Sequence, residues 1–505
     1  MKKTILLLAF FITYFISFAQ DVSTFCNVAD CYQKEACYEA NTVSKQTYTY
    51  ARVGDIFGND PTAYKLPLQI SVYSSCPLPD ASTIPYNPKT ERVADVVPTC
   101  TGCKRPFILL IHGGGFGFGC KDNLEQECRE FASRGYVAAS IDYRLGWKTS
   151  QAQCYTNLGT SQFCLADPTS ASCPETSQCT DRTNLHAAVY KAMQDVNAAL
   201  RYMAYYADAF NLDVNYFYIG GQSAGSVIAT NTTYMNQNEI NTLFSELVDI
   251  NGNNIYGKLN NNGNKLQAEF SLKGLYDCWG AVGDVNGIRG NADKIPMIAF
   301  HCEDDNVVPY AHGGVLKIAC GTQLDVADGS SVIYNQLKTK YPNIVATEFY
   351  HQATGGHGGI LNTTSDQMLK RIELAVCFFR KCRMGYTNQV DFDLTNGDNT
   401  TVECSVNSLA QRLVSKDPQA TGKSASANIF LSGRNIFYKY ALTTKTQVET
   451  NIYDISGRQL GATKKIEQAG TYQNIQQHNF TPGVYIATIR YNGRIVCSRK
   501  LVISN

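Results

Sequence analysis

The sequence lacks a dominant charge. Its 44 lysines and arginines stand against 43 aspartates and glutamates, so the formal net charge is +1. No run of basic residues occurs, which argues against nucleic acid or another polyanion as a partner. Beyond the N-terminus the chain also lacks any stretch apolar enough to cross a bilayer. Apolar residues still make up 44% of the chain, which excludes wholesale disorder.

The first residues are typical of an export signal. Lys2 and Lys3 precede an apolar stretch at residues 5–18, and Ala19 ends a small-residue cleavage pattern. The alternative is a membrane anchor, but the stretch is short for a span of about 20 apolar residues. We therefore expect residues 1–19 to be a signal peptide that is removed after Ala19.

Cysteine is abundant, with 19 residues, and only Cys497 follows residue 405. This usage is typical of an exported protein that forms disulfides, and the even number before residue 405 permits up to nine bridges. We expect bridges within a Cys-rich insert at residues 151–180. The alternative use is zinc, for which a lone CxxC at residues 100–103 is a weak signal because no second pair has matching spacing.

Strand and helix patterns alternate from about residue 45 to residue 385. The apolar runs at 107–111 and 136–141 are of the buried-strand type, and residues 181–206 form an amphipathic helical pattern. Such alternation predicts an α/β fold, a mostly parallel sheet with helices on both faces. We assign residues 20–385 to this domain.

A change of composition marks the end of that domain. Residues 386–425 are polar and predict a linker. From residue 426 to residue 505 the helical patterns disappear, and short strands separated by turn signals replace them. Asn492-Gly493 between two strand-like runs predicts a hairpin, so this last segment is predicted to be a small all-β sandwich.

A G-x-S-x-G pattern surrounds Ser223. It follows a predicted strand at residues 216–219 and precedes a predicted helix, which is the setting of a nucleophilic serine on a tight turn. The alternative is an ordinary strand-to-helix turn in which Ser223 caps the helix. Ser226, on the same predicted helix, is expected to be dispensable.

A glycine-rich HGGG motif at residues 112–115 follows the apolar strand at 107–111. Successive glycines leave backbone N–H groups accessible, which an oxyanion hole requires. A phosphate-binding loop is the alternative, but neither G-K-[ST] nor a dinucleotide-binding spacing accompanies the motif. The HGGG and G-x-S-x-G motifs together predict acyl transfer.

With these motifs the sequence resembles the HGGG esterase/lipase branch of the α/β-hydrolases, which includes feruloyl-esterase-like and formamidase-like enzymes. The resemblance covers about residues 45–385 and rests on the segments at 112–115, 142–144, 195–201, 221–225 and 301–309. It implies that the N–H groups of Gly114, Gly115 and Ala224 form the oxyanion hole. It also implies that no cofactor or metal is needed.

The acid and the base must follow Ser223 in that order. The family pattern, an acidic residue shortly before Val-Pro, selects Asp305, with Asp304 as the alternative. Only seven histidines exist, and two of them, His351 and His357, lie in the region of the last strand. A glycine-rich loop surrounds His357 and favours it as the base over His351, which borders the strand.

The terminal segment resembles the type A sorting domain of the type IX secretion system. The resemblance rests on residues 452–458, 482–486 and 500–503, whereas the usual entry motif is absent near Ile429. It implies a partner in the secretion machinery and a protein that is secreted or held on the outer surface of a Gram-negative cell. A carbohydrate-binding or adhesion sandwich is the alternative.

The sequence as a whole predicts a secreted serine hydrolase that cleaves carboxylic esters through an acyl-enzyme. Ser223, Asp305 and His357 are its expected catalytic residues. An amide-cleaving relative, a formamidase or a peptidase, is one alternative. A non-catalytic α/β-hydrolase scaffold used for adhesion is the other, but such a scaffold has no need of a nucleophile.

Overall fold

A computed structural model gives the fold. The chain divides into two compact units, Met1–Cys404 and Ser405–Asn505. The predicted signal peptide, the CxxC pair and the Cys-rich insert lie outside the described residues. Those residues are 36, 39–53, 66–87, 104–145, 182–290, 293–316, 324–397, 427–432, 435–442, 444–454, 459–477, 480–481, 483–491 and 494–503.

Twelve strands are described in the first unit. Nine form one sheet in the order β1-β2-β4-β3-β5-β6-β8-β11-β12, and three form a small sheet in the order β7-β10-β9. In the large sheet, β1 pairs with β2 and β2 with β4 in antiparallel fashion, and all later pairs are parallel. The strands are β1 Ser44–Val53, β2 Leu66–Ser74, β3 Arg105–Ile111, β4 Val137–Ile141, β5 Leu212–Gln222, β6 Leu272–Cys278, β7 Ala281–Val282, β8 Met297–Cys302, β9 His312–Val315, β10 Asp325–Gly329, β11 Thr347–Gln352 and β12 Gln389–Asp393.

Six α-helices are described in this unit. They are α1 Glu125–Ser133, α2 Arg182–Tyr205, α3 Ala224–Tyr234, α4 Gln237–Leu243, α5 Ser330–Lys340 and α6 Ser365–Arg383. Short 3-10 turns lie at Ala40–Thr42, Ala81–Thr83, Lys121–Leu124, Ser245–Leu247 and Val285–Gly287. None of the helices in the described ranges is long and apolar enough to span a membrane.

Burial explains the apolar runs of the sequence. Every residue of β3 and β4 is buried, as expected for central strands that helices cover on both faces. Most of α2 is buried as well, from Leu185 to Ala204. The arrangement confirms the predicted fold class, a mostly parallel sheet with helices and a separate small β unit.

Two expectations need correction. Strand β12 lies at the edge of the large sheet and pairs with β11, although its residues fall in the predicted linker. Its mixed sequence, QVDFD, gave no apolar run because an edge strand is covered on fewer sides. Nine disulfides in this unit are also excluded, because four cysteines are free thiols: Cys128, Cys278, Cys302 and Cys382.

The second unit is all β. A three-stranded sheet has the order β13-β14-β17, and a four-stranded sheet has the order β16-β15-β18-β19. Strands β18 and β19 pair from Tyr491 and Arg494 outward, which is the register of the predicted hairpin. The strands are β13 Ala427–Ser432, β14 Asn435–Leu442, β15 Thr446–Asp454, β16 Gln459–Glu467, β17 Gly470–Gln477, β18 Gly483–Tyr491 and β19 Arg494–Ile503.

Candidate active site

Ser223 lies between β5 and α3 in a strained backbone conformation. Its φ is 54° and its ψ is −125°, a combination that few non-glycine residues adopt. Its N–H donates to the carbonyl oxygen of Cys278 on the neighbouring strand, at 3.0 Å. This turn is the sharp strand-to-helix geometry that presents a serine hydroxyl at the carboxyl edge of a sheet.

The flanking glycines permit this turn because the backbone is crowded there. A Cβ atom at Gly225 would lie 2.0 Å from the carbonyl oxygen of Ile111, and one at Gly221 would lie 2.5 Å from the same oxygen. Real Cβ atoms cannot approach so closely, so both positions need glycine. The motif therefore packs the start of α3 directly against the end of β3.

His357 joins Ser223 to Asp305. Its Nε2 lies 2.7 Å from Ser223 Oγ, and its Nδ1 lies 2.8 Å from Asp305 Oδ2. An ionised carboxylate only accepts hydrogen bonds, so Nδ1 carries the proton and Nε2 is left to accept from the serine hydroxyl. The structure thus brings together three residues that are far apart in sequence, in the order and tautomer of a Ser-His-Asp triad.

Asp305 is held on both of its carboxylate oxygens. Oδ1 accepts from the N–H groups of Val307 and Val308, at 2.8 and 3.0 Å. Burial alone would raise the pKa of Asp305, but the interactions with His301 and His357 outweigh it and lower the pKa well below its usual range. The carboxylate is therefore ionised at every pH at which His357 can act as a base.

The alternative acid and base, Asp304 and His351, have partners other than Ser223 and His357. Asp304 accepts from the N–H groups of Gly355 and Gly356, at 3.2 and 2.7 Å, and so fixes the loop that carries His357. His351 lies between two carboxylates, 2.8 Å from Glu303 and 3.2 Å from Asp391.

Three other histidines, His112, His186 and His312, have partners outside the triad. His112 is buried, donates from Nδ1 to the Gly113 carbonyl at 2.7 Å, and has a pKa lowered to about 4 by burial. His186 lies between the carboxylates of Glu246 and Asp325, and His312 pairs with Asp328 at 2.8 Å. His478 lies outside the described residues.

The glycines of the HGGG motif lie next to Ser223. A Cβ atom on Gly113 would come within 3.1 Å of Ser223 Cβ, so the loop passes directly over the serine. Gly114 and Gly115 have φ values of 114° and 57°, which favour glycine. Ala224 begins α3, so its N–H has no acceptor within the helix.

A cavity of about 70 Å³ opens beside Ser223. Of the predicted oxyanion residues, Gly115 and Ala224 line it, whereas Gly114 is not among the lining residues. The other walls are mainly apolar and come from α2, α3, β9, β10 and the loops beside them, with His186, Asn231 and Asp325 as the polar members. They include Leu185, Val189, Val227, Phe244, Val307, Val315 and Leu316.

Two side chains that the motifs did not indicate support the His357 loop. The Trp279 ring meets the His357 ring edge to face, with centroids 6.5 Å apart. Arg371, fully buried on α6, places its guanidinium 4.9 Å from the Trp279 ring centroid and donates to Tyr276 Oη at 2.6 Å. Arg371 also contacts Glu127. These contacts join elements distant in sequence, so no local pattern could have identified them.

The 142–144 segment forms a structural ion pair. Arg144 Nε lies 3.0 and 2.9 Å from the two carboxylate oxygens of Asp195, and its backbone N–H donates to the same carboxylate at 2.8 Å. Both residues are buried. The pair fastens the end of β4 to α2, which positions the cavity wall.

Within the described ranges, no group of three or more histidine, cysteine, aspartate or glutamate side chains is arranged to hold a metal ion.

Comparison with known proteins gives two family matches. The BD-FAE profile, an α/β-hydrolase esterase family, matches residues 180–319, and the secretion system C-terminal sorting domain matches residues 435–504. Methylphloroacetophenone synthase from Cladonia uncialis is 41% identical over 81 residues. That alignment covers 16% of this chain and 3% of the synthase.

The solved structures that resemble the chain include esterase 2 of Thermogutta terrifontis in two states. The enzyme phosphoramylated by tabun is 17% identical with a TM-score of 0.37, and the alignment covers 68% of this chain and 96% of that one. The butyrate-bound enzyme is also 17% identical with a TM-score of 0.37, and the alignment covers 70% of this chain and 98% of that one.

The first unit thus combines a mostly parallel sheet with helices, a sharp turn at Ser223 and a segment that matches the BD-FAE esterase profile. More particularly, that segment spans residues 180–319, and residues 435–504 of the second unit match the secretion-system sorting domain. Both resemblances predicted from the sequence are confirmed.

Proposed function

We propose that the first unit is a serine esterase in which Ser223 is the nucleophile, His357 the general base and Asp305 the residue that orients His357. The single observation that carries this proposal is the continuous chain of contacts from Asp305 Oδ2 through His357 to Ser223 Oγ, with steps of 2.8 and 2.7 Å. Both steps lie within hydrogen-bonding distance before any substrate is bound.

The first half of the reaction acylates the enzyme. Ser223 Oγ attacks the ester carbonyl while its proton passes to His357 Nε2, and the imidazolium that forms is stabilised by the Asp305 carboxylate. The carbonyl oxygen becomes an oxyanion that accepts from the N–H groups of Ala224 and of Gly114 or Gly115. Collapse of the intermediate breaks the ester C–O bond, and His357 returns the proton to the leaving alcohol.

The second half releases the acid. A water molecule attacks the acyl carbon while His357 takes its proton, and the new oxyanion uses the same N–H groups. When this intermediate collapses, the carboxylic acid leaves and the proton returns to Ser223 Oγ. The enzyme regains its starting state without any cofactor.

The cavity beside Ser223 favours a short apolar acyl group. A water-sized group needs about 10–15 Å³ on this measure, so 70 Å³ accommodates about five such groups. Val227, Leu185 and Phe244 make the lining mainly apolar, and its two ionisable residues, His186 and Asp325, are paired with each other. We therefore propose esters of short aliphatic acids as the substrate class.

The second unit extends the proposal to localisation. Its match to the secretion sorting domain supports export through the type IX machinery, with the enzyme released or retained at the outer surface. The residues proposed for catalysis all precede residue 360, so we assign chemistry to the first unit and delivery to the second.

The experiment that tests the activity is replacement of the nucleophile. Ser223→Ala should lower kcat by about 10⁴–10⁶ against p-nitrophenyl butyrate with an unchanged melting temperature. The matched control is Thr233→Val on the same helix, because Thr233 Oγ1 donates only to the Ala229 carbonyl and Thr233 does not line the cavity. An aryl amide assayed in parallel tests the amide-cleaving alternative.

A further inference from the structure

A second histidine contacts the carboxylate of Asp305. His301, fully buried at the end of β8, has its Nε2 3.4 Å from Asp305 Oδ2 and 3.2 Å from the carbonyl oxygen of Val308. Its Nδ1 lies 2.8 Å from Ser330 Oγ at the start of α5. The proposed mechanism leaves this histidine without a role.

The contacts continue to a second buried carboxylate. Ser330 Oγ donates to Asp277 Oδ2 at 2.7 Å, and Asp277 Oδ1 accepts from Ser226 Oγ at 2.6 Å and from the Gly280 N–H at 2.9 Å. Asp277 is fully buried on β6, and burial raises its pKa. A continuous row of contacts therefore runs from Asp277 through Ser330 and His301 to the triad.

The donors and acceptors determine what His301 presents to Asp305. In one arrangement Asp277 is ionised and the Ser330 hydroxyl donates its single hydrogen to it. The hydroxyl oxygen can then only accept from His301, so Nδ1 of His301 carries a hydrogen. Nε2 faces two acceptors, the Val308 carbonyl and the Asp305 carboxylate, so it must carry a hydrogen too. When Asp277 holds the proton instead, Ser330 donates to Nδ1, and Nε2 again carries the hydrogen. Both arrangements direct an N–H at Asp305.

We propose that His301 is a positioning residue which, supported by Ser330 and Asp277, holds Asp305 ionised and correctly oriented and so sets the acid limit of activity at Ser223. The inference rests on the proposed esterase function. An N–H directed at Asp305 stabilises its negative charge and weakens the attraction of that charge for the His357 imidazolium. His357 consequently loses its proton, and becomes able to act as a base, at a lower pH than it would without His301.

The other titratable groups around these residues are accounted for. Tyr310 presents its ring edge to His301 at 5.8 Å, and burial raises its phenol pKa above the working range. Cys302 is a free thiol whose pKa burial raises to about 11, so it is neutral. The carboxylates adjacent in sequence to Asp305 are engaged elsewhere, with Glu303 at His351 and Asp304 at the N–H groups of Gly355 and Gly356. Asp328, just before α5, pairs with His312.

The test is the pH profile of kcat/KM for p-nitrophenyl butyrate in the full-length protein. His301→Asn places no donor at Nε2, so the acid limb should move up by about 0.5–1 pH unit. His301→Gln restores a donor near that position and should move the limb less. Ser330→Ala, which breaks the link to Asp277 from another element, should move it in the same direction. His312→Asn, an exposed histidine on β9, is the control and should leave the limb in place.

A merely structural role would lower kcat equally at every pH and leave the limb unmoved. The inference is overturned if the acid limb stays at the wild-type position in His301→Asn, His301→Gln and Ser330→Ala. If the His301 variants do not fold, Ser330→Ala alone still provides this test. Failure of the proposed function has a different signature, namely full activity in Ser223→Ala whatever the profiles of the His301 variants.

Discussion

Replacement of Asp305 by asparagine should abolish activity through the tautomer of His357. Asp305 Oδ1 accepts from two N–H groups, those of Val307 and Val308, so an asparagine would place its carbonyl oxygen there. Its NH₂ group would then face His357 Nδ1, which could only accept. The proton would move to Nε2, directed at Ser223 Oγ, and His357 could no longer take the serine proton.

The magnitude follows from that geometry. Loss of the base through a reversed tautomer lowers kcat by about 10⁴, which is about 5.4 kcal/mol of barrier. Size and shape are preserved and two backbone donors stay satisfied, but the new NH₂ group would also face the N–H of His301, so the melting temperature should fall while the protein stays folded. Stopped-time assays with p-nitrophenyl butyrate at pH 7, with thermal melting of the same samples, measure both quantities.

The matched control is the neighbouring carboxylate. Asp304→Asn retains one acceptor for the N–H groups of Gly355 and Gly356, so its kcat should stay within about tenfold of wild type. Activity of Asp305→Asn within tenfold of wild type, or a greater loss in Asp304→Asn, would refute the assignment of Asp305.

Three further predictions concern export, substrate size and pH. Deletion of residues 426–505 should leave activity intact in the purified protein but retain it in the periplasm of the native host, and surface delivery of the truncated chain would contradict the sorting role. For p-nitrophenyl esters, kcat/KM should fall at least about tenfold from the butyrate to the octanoate, since the cavity holds about five water-sized groups; a flat series would contradict a short acyl site. Burial lowers the pKa of His112 to about 4 in the folded protein. Between about pH 6.5 and pH 4 this histidine therefore binds a proton only in the unfolded chain. The free energy of unfolding should fall by about 2 kcal/mol from pH 7 to pH 5 as a result. Thermal melting at the two pH values checks this, and an equally large fall in His112→Gln would contradict it.

The local motifs predicted the parts of the site that depend on tight turns. Ser223 and the glycines at 113–115 occupy turns where backbone crowding or a positive φ restricts the residue type, so the chemistry is visible in a few adjacent letters. The central strands were predicted for a similar reason, because β3 and β4 are buried on both faces and have continuous apolar sequences.

Contacts between distant elements could not be predicted in this way. Ser226 looked dispensable from its position on α3, yet it is buried, donates to Asp277 and accepts from the Cys278 N–H at 3.1 Å. Its removal would leave a buried carboxylate short of a donor, so Ser226→Ala is unsuitable as a control. His301 precedes the last strand, where the base of the triad is expected, and nothing local shows that Ser330 and Asp277 meet it.

The most direct test of the account is labelling by a fluorophosphonate probe followed by peptide mass mapping. The probe reacts only with a serine that a neighbouring base activates. We expect a single adduct on Ser223 in the wild-type protein, strong attenuation in His357→Ala, and none in Ser223→Ala. An unlabelled wild-type protein, or an adduct on another residue that persists in Ser223→Ala, would contradict it.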